Sequence, residues 1–448
     1  MRAARTLTLL LALALSTGLC QAQAQAQGTA ALHPASFVHT GWAQTTGGQG
    51  GKILRVTTLA ADGPGSLKAA LDTPGPRIVV FEVGGVIDMG GASYTLREGR
   101  VTIAGQTAPD PGITLVRGEL NLAAADVILQ HLSIRPGAYG RPKRSGRDHD
   151  GITTSEGARR IIVDHCSFSW ATDENLSVGG PRFKGATPDA WRDTTSHAIT
   201  YSHNLIYEGL GESVHGKGEH SKGTLIHDNA NRILLLGNIY ASNRERNALF
   251  KGGAWGAMVN NLIYNPGSRA VHYNLIAHEW LDQPYQTGQL TLVGNVYRAG
   301  PGTAERLPLF TLGGVGDVQL YEQDNLALDR QGQPLPLTGR YTASSAQIIA
   351  VREPYLPAGL SWVSPRELER LLPLYAGSRP WARDPLDFKQ LSDIAEDRGT
   401  LIDDETQNNP DGLPKRRATQ RAFVEADWQL ADMSPKAGWA SLFKPGAR

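Results

Sequence analysis

The fold is indicated by four stretches that repeat one pattern: AITYSHNLIY (198–207), RILLLGNIY (232–240), AMVNNLIY (257–264) and QLTLVGNVY (289–297). In each, a strand-like apolar run is followed by an asparagine, two apolar residues and a tyrosine. The asparagines in register are Asn204, Asn238, Asn261 and Asn295. Cys166 holds the same position in an earlier stretch, so the spacings are 38, 34, 23 and 34 residues. Such irregular repeats predict a solenoid rather than a propeller, whose blades keep a nearly constant length.

The repeats favour an all-β fold, a single-stranded right-handed parallel β-helix over residues 28–335. Twelve of the 16 asparagines lie between 175 and 295, and side chains stacked in successive turns can form a ladder of amide hydrogen bonds. GSLKAALD (65–72) predicts a short N-terminal capping helix with Ser66 as its N-cap. Residues 336–448 are richer in Pro, Arg and Trp and predict an extension with short helices, packed along the solenoid.

The overall charge argues against two classes of partner. Lys and Arg number 44 against 43 Asp and Glu, a net charge of +1, so binding to nucleic acid or to an anionic membrane is not expected. Two cysteines in 448 residues exclude a disulfide scaffold and a cysteine-based zinc site. We expect a monomer.

Residues 1–26 have the pattern of a secretory signal peptide. Arg2 and Arg5 precede an apolar run of Leu, Ala and Thr (6–15), and the Gln-Ala alternation after it offers A-x-A cleavage sites. The run is too short to span a membrane. We therefore expect a secreted protein, extracellular or periplasmic, and a lipoprotein attached through Cys20 is the second possibility.

Acidic residues are concentrated in RDHDGI (147–152) and VDHCSFSWATDENLSV (163–178). Asp148 and Asp150 are two residues apart, which places both on one face of a strand. If coils stack, Asp150 and Asp173 meet on adjacent coils and offer hard oxygen ligands to calcium. Asp164, between apolar residues, is interpreted as a buried structural acid. Asp148 and Glu174 fit solvated turn residues as well as they fit ligands.

Basic residues follow in EGLGESVHGKGEHSKGTLIHD (208–228) and SNRERNALFKGGAWGAMVNNLIYN (242–265). The first segment spaces cations with glycines, which predicts a loop close to an anionic ligand, with a solvated basic turn as the alternative. The second contains Arg244, Arg246 and Lys251. Arginine is a poor base, but a divalent metal and other cations nearby would destabilise its charged form and lower its pKa.

These motifs occur in a specific order. The segments concerned are D-x-D (148–150), VDHCSF (163–168), Asp173, HSKGTL (220–225), RNALFK (246–251) and NNLIYN (260–265), preceded by TLAADGPGSLKAAL (58–71) and TIAGQTAP (102–109). In this order they resemble the pectate lyase family of secreted β-helix polysaccharide lyases, particularly its bacterial branch, over roughly residues 40–300. The resemblance implies calcium-dependent β-elimination of uronic-acid bonds in pectate or polygalacturonate.

The resemblance also implies roles for individual residues. The implied calcium ligands are Asp150 and Asp173, with Asp148 as a third. The implied base is Arg246, which would remove the proton on carbon 5 of the sugar. The predicted substrate-binding residues are Lys222 and Lys251, to which the glycine-spaced loop adds Lys217 and His220.

Three positions depart from the family pattern. Ala248 replaces the motif proline, Leu249 stands where a further arginine is often found, and Ser177 replaces a second ligand-type aspartate. The departures predict calcium binding that is weak or that needs substrate oxygens. Two other functions remain open. One is a glycoside hydrolase with Asp148 and Asp150 as its carboxylate pair, and the other is a non-catalytic polysaccharide-binding solenoid.

Overall fold

The computed structural model describes residues 41–443, so the predicted signal peptide lies outside the described residues. The chain winds through three parallel β-sheet faces, which we call A, B and C, with strands numbered in chain order. Face A has eleven strands: Lys52–Val56 (β1), Arg77–Phe81 (β2), Val101–Ala104 (β4), Ala125–Gln130 (β6), Arg159–Asp164 (β9), His197–Ser202 (β12), Asn231–Leu236 (β15), Trp255–Val259 (β18), Gly288–Val293 (β21), Val318–Gln323 (β24) and Ile348–Ala350 (β27).

Faces B and C are joined by two long strands that bend from one to the other, Val83–Leu96 (β3) and Ile113–Leu122 (β5). Face B continues with Leu132–Arg135 (β7), Ser167–Ser169 (β10), Leu205–Tyr207 (β13), Ile239–Ala241 (β16), Leu262–Tyr264 (β19), Val296–Arg298 (β22) and Leu326–Leu328 (β25). Face C continues with Ile152–Thr154 (β8), Glu174–Val178 (β11), Lys222–Ile226 (β14), Leu249–Lys251 (β17), Val271–Leu275 (β20), Phe310–Gly314 (β23) and Thr338–Arg340 (β26).

Each coil passes through faces A, B and C in turn and pairs in parallel with the coils before and after it. On face A, for example, Ile199 lies opposite Ile161 of the preceding coil and Ile233 of the next. These apolar residues point inward and form one continuous buried core, and each contributes about 1.5–3 kcal/mol when buried. The predicted parallel β-helix is confirmed.

The repeated apolar stretches are each two strands rather than one. Between the face A strand and the face B strand stands a residue with left-handed backbone, such as His203 (φ 52°), Gly237 (φ 62°) or Asn260 (φ 52°). This conformation turns the chain sharply, so an apolar run that is continuous in sequence lies on two faces. Apolar periodicity alone does not report such a corner.

The predicted asparagine ladder lies at this A–B corner. Each side-chain Nδ2 donates to Oδ1 of the asparagine on the next coil, from Asn204 to Asn238 (2.9 Å), to Asn261 (3.0 Å) and to Asn295 (3.0 Å). Asn325 adds a further rung at 2.9 Å. The ladder is confirmed, and it satisfies buried polar groups along the axis.

In the part of the chain that the structure describes, five helices lie at the ends and on the outside of the coils: Leu67–Asp72 (α1), Pro188–Thr194 (α2), Ala277–Trp280 (α3), Pro365–Tyr375 (α4) and Pro385–Ala395 (α5). The hydroxyl of Ser66 accepts a hydrogen bond from the Ala69 amide, which confirms the predicted N-cap of α1. Helices α4 and α5 lie in the C-terminal extension, for which short helices are predicted, and both pack against face B through an apolar cluster that includes Leu205 and Leu372.

The rest of the C-terminal segment also packs on the coils. The parallel strands continue to Ala350, beyond the predicted boundary at 335. Three short strands follow: Thr419–Gln420 (β28), antiparallel to β3, and the pair Trp428–Gln429 (β29) and Ser434–Pro435 (β30). Short 3-10 turns occur at Gly105–Thr107, Glu405–Gln407, Glu425–Asp427 and Trp439–Phe443. Within residues 41–443 no helix has the length and apolar character to cross a membrane.

Buried polar contacts attach this segment to the loops that carry the candidate site. The Arg135 guanidinium, on face B, lies 2.9 Å from both Asp384 and Asp387. The Glu405 carboxylate accepts hydrogen bonds from the amides of Ala138 (2.9 Å) and Tyr139 (2.7 Å). The segment therefore holds a B–C loop in place.

Candidate active site

The candidate residues meet where face B turns into face C. Asp173 stands directly before β11, Lys222 begins β14, and Arg246 lies shortly before β17. Glu174 pairs with Lys222, and Lys222 pairs with Glu245 on the next coil. Because coils stack in parallel, residues far apart in sequence lie on one surface. The structure thus brings the predicted acids together with Lys222 and Arg246.

The centre of the site is a group of three acids, Asp150, Asp173 and Glu174, whose carboxylate oxygens lie within 4.8 Å of one another. We call it the acidic trio. The Asp150 carboxylate accepts the Glu174 amide at 2.9 Å, and the Asp150 amide donates to Glu119 at 2.9 Å. Burial, followed by the charges of Asp173 and Glu119, raises the pKa of Asp150 well above its usual value. Three clustered oxygen donors with excess negative charge fit a hard cation such as calcium.

Glu174, rather than Asp148, completes the trio. Glu174 is 4% exposed, so it is not a solvated turn residue. The Asp148 side chain is 42% exposed and accepts the Gly216 amide at 3.0 Å, outside the trio. The one signal for Glu174 in the sequence is its position next to Asp173, at the start of a strand.

Two stacked histidines, His215 and His220, cover Asp173, with ring centroids 3.5 Å apart. Their Nε2 atoms lie 3.5 Å and 3.2 Å from the Asp173 carboxylate oxygens. Nδ1 of His215 accepts the Lys217 amide at 3.1 Å, so its proton sits on Nε2, which faces Asp173 and, at 3.6 Å, Asp148. Burial raises the pKa of Asp173, but the hydrogen bond from His220 and the nearby charges outweigh burial and lower it. His220 therefore lies against an acid, whereas Lys217 is exposed at the tip of its loop.

Arg246 contacts the trio directly, through Glu174. Its side chain is 23% exposed and its backbone is left-handed (φ 62°). Burial lowers the pKa of the Arg246 guanidinium, and the opposing charges of Asp173 and Asp150 do not fully compensate. A lowered pKa is the property that the sequence argument required of an arginine base.

Lys222 is held by a glutamate that the sequence argument did not identify. Its ammonium contacts Glu245, which also contacts Arg269. Burial, with the positive charge of Arg269, lowers the pKa of Lys222 to about 8. Glu245 lies next to Arg246 in sequence, but only coil stacking reveals that it bridges two cations.

Lys251 lies at the other end of its strand, where face C turns towards face A. Its ammonium contacts Glu279 and lies 3.6 Å from Asp228. Arg182 reaches the same acids, at 2.9 Å from Glu279 and 3.0 Å from Asp228. Lys251 is therefore part of a separate ion-pair group and does not join Lys222.

Two further residues singled out in the sequence are Ser177 and Asp164, and both are hydrogen-bonded. Ser177, which replaces a ligand-type aspartate, donates to Glu174 at 3.3 Å. Asp164 is 1% exposed and accepts hydrogen bonds from Ser202 (2.7 Å) and from the neighbouring His165 (2.7 Å). The interpretation of Asp164 as a buried structural acid is confirmed.

No family model matches this chain. Over 381 residues it is 32% identical to a protein named probable pectate lyase C from Neosartorya fischeri, and the alignment covers 83% of this chain and 80% of that relative. The chain belongs to the pectate lyase family. A second probable pectate lyase C, from Aspergillus terreus, is 30% identical over 414 residues, with 87% of both proteins covered. These two pectate lyase relatives are fungal, although the motifs resemble a bacterial branch.

A solved structure shares the fold. A pectate lyase bound to a hexasaccharide superposes with a TM-score of 0.52 at 16% identity, covering 76% of this chain and 97% of that one. At this identity the likeness establishes the β-helix alone. Roles of individual residues in this pectate lyase family member therefore rest on its own geometry.

Proposed function

We propose that this protein cleaves pectate or polygalacturonate by calcium-assisted β-elimination, with Arg246 as the base. The observation that carries the proposal is the contact between Arg246 and Glu174, because it places a guanidinium of lowered pKa against the acidic trio. Membership of the pectate lyase family supports the same chemistry. Lowering a base's pKa towards the working pH raises the fraction that can accept a proton.

The acidic trio is the proposed calcium site. Asp150, Asp173 and Glu174 would hold the ion, and Asp148, the third ligand predicted from the sequence, would act indirectly by orienting His215 beside Asp173. Calcium bound there would neutralise the substrate carboxylate and so acidify the proton on carbon 5. The raised pKa of Asp150 supports this assignment, since a bound cation would relieve the repulsion among the three carboxylates.

The chain's own residues perform the remaining steps. Neutral Arg246 accepts the proton from carbon 5, and the electrons of that bond form a double bond between carbons 4 and 5. The bond from carbon 4 to the glycosidic oxygen breaks, and the oxygen leaves with the bonding pair and takes a proton from water. Lys222, held by Glu245, binds the substrate carboxylate and stabilises the negative charge that develops on it.

The other predicted substrate-binding residues act further from the reacting bond. Lys217 is exposed and free to approach the polymer, and His220 would reach the substrate from its position beside Asp173. Lys251 contacts Glu279, so it would bind a substrate carboxylate only by exchanging that partner.

The experiment is incubation with polygalacturonate, with and without calcium, followed by near-ultraviolet absorbance. The proposed lyase produces an absorbing unsaturated sugar only when calcium is present. Shortened chains without absorbance would indicate a glycoside hydrolase, and binding without shortening would indicate a binding solenoid. Either result would overturn the proposal.

We also propose that residues 1–26 direct export and are removed. The arginines followed by an apolar run and A-x-A sites support this. N-terminal sequencing of protein collected outside the cytoplasm tests it, with cleavage expected near Ala26.

A further inference from the structure

We propose that loop 141–147 forms an outlying subsite that binds carboxylates of the uronan chain away from the bond that is cleaved. This inference rests on the proposed function, because it concerns the same polymer. It adds a site whose residues, Arg147 apart, belong neither to the sequence motifs nor to the acidic trio.

The loop concentrates positive charge. Its sequence is RPKRSGR, so four of its seven residues are basic in a chain whose net charge is only +1. No acidic residue lies within it. A clustered set of like charges on one loop attracts a polyanion more strongly than the same charges dispersed over the surface.

Hydrogen bonds hold the loop beside the acidic trio. The Arg144 amide donates to the Ser213 carbonyl and the Gly146 amide to the Val214 carbonyl, both at 2.9 Å. The Thr172 hydroxyl donates to the Arg147 carbonyl at 2.7 Å, directly before Asp173. The loop is thus fixed to the residue before Asp173 and to the segment that carries His215, so its backbone is held in place.

The loop lies on the same coil as Asp150, shortly before β8. Lys222 begins β14 and Arg246 precedes β17, and both of these strands belong to later coils. The loop therefore adds cations on the coil that carries Asp150 to those on the coils of Lys222 and Arg246. A polymer that places one carboxylate on the trio would bring neighbouring carboxylates over the loop.

The side chains are available to a ligand. Those of Lys143 and Arg144 are 64% and 63% exposed, and they form exposed ion pairs with Asp403 at 3.6 Å and Glu212 at 3.4 Å. Exposed pairs of this kind contribute little, so a substrate carboxylate can replace them. Arg141 is exposed and lies over the Tyr139 ring, 5.2 Å from its centroid, which restricts its motion.

The test removes three of these charges together, in R141Q/K143Q/R144Q. Arg147 is kept because its side chain donates to the Gly91 carbonyl at 3.1 Å. The matched control is R352Q/R366Q/R370Q, which removes the same charge from exposed positions elsewhere. Retardation in gels containing polygalacturonate and EDTA measures binding without turnover, and initial rates with polymer and with trigalacturonate measure KM.

We expect about tenfold weaker binding of polygalacturonate by the loop variant and a similar rise in KM for the polymer. The control should match the wild type. KM for trigalacturonate should change less than KM for the polymer, because a trimer presents only three carboxylates to the whole site. The loop variant and the wild type should bind fully methyl-esterified pectin equally, because this polymer has no carboxylates. The difference between them in binding polygalacturonate should fade at high salt.

Other results would overturn the subsite. Retardation of the loop variant equal to that of the wild type would do so. The same holds if the control variant loses as much retardation as the loop variant, or if KM for trigalacturonate rises as much as KM for the polymer. The retardation experiment also separates the two proposals. If the wild type lacks lyase activity, the proposed function fails, whereas retardation that depends on the loop would still establish the carboxylate-binding site.

Discussion

The guanidinium of Arg246 contacts the carboxylate of Glu174 across the stacked coils of the β-helix. Glu174 begins β11 and Arg246 precedes β17, with β14 between them on face C. The contact joins the proposed base to the proposed calcium site. Because the two residues are assigned different tasks, a change at Arg246 should affect mainly proton transfer and a change at Glu174 mainly calcium binding.

Replacement of Arg246 by lysine should reduce kcat by about 10²–10⁴-fold with little change in KM. Lysine keeps the positive charge but cannot reproduce the planar guanidinium beside the carbon 5 proton. Steady-state rates on polygalacturonate measure both constants. The control is Arg244→Lys, at a half-buried arginine that pairs with Glu219. Near-normal kcat in Arg246→Lys would reject its role as the base.

Glu174→Gln should weaken calcium binding by about tenfold or more, because it removes one of three clustered carboxylates. Titration calorimetry with calcium measures this affinity directly. Asp150→Ala and Asp173→Ala should lose calcium-dependent activity, while circular dichroism should show that their fold is intact. The control Glu219→Gln changes an exposed glutamate on the neighbouring loop. Calcium affinity equal to wild type in Glu174→Gln would remove this residue from the site.

KM and kcat should both rise with pH, for different reasons. The pKa of Lys222 is lowered to about 8, so above about pH 8 its ammonium form is lost and KM for polygalacturonate should rise about tenfold per unit. Because the base acts in its neutral form, kcat should rise with pH as Arg246 loses its proton. In Lys222→Arg the charge persists, and the rise in KM should disappear. A wild-type KM that stays flat up to about pH 10 would contradict the role of Lys222.

Asn238→Ala should lower the free energy of unfolding by about 3 kcal/mol, because it leaves several buried groups without partners. The side chain accepts from Asn204 (2.9 Å) and donates to Asn261 (3.0 Å) and the Tyr201 carbonyl (2.9 Å). Thermal unfolding should show a Tm several degrees lower. Asn121→Ala, at a half-buried residue outside the ladder, should change Tm much less. An equal decrease in Tm in the two variants would show that the ladder contributes no more stability than an ordinary half-buried asparagine.

The repeat pattern carried most of the information about the fold. A β-helix has the same local environment on every coil, so each coil needs the same residue types at the same positions, and the ladder from Asn204 to Asn295 is visible as a spacing. The helices α1, α4 and α5 were predictable for a similar reason, since their caps and apolar spacing are local. The corners at His203 and Gly237 were not, because a single left-handed residue leaves the apolar pattern unchanged.

The site was predictable only in part. The types and order of Asp150, Asp173, Lys222 and Arg246 are written in the sequence, and the structure brings them together because coils stack in parallel. The ion pairs could not be predicted, since they join residues on different coils whose register depends on loop lengths. The ion pairs between Glu174 and Arg246 and between Glu245 and Lys222 are examples.

By itself, the sequence determined the family, the repeating coil and the residue types of the site, because these depend on local patterns and on the order of motifs. The tertiary structure alone decided which acid completes the trio, which cation joins it and which does not. Glu174 and Asp148 are both acids near Asp173, but burial and coil register place only Glu174 within 4.8 Å. Electrostatic energies fall with distance and rise with burial, and both are properties of the folded chain.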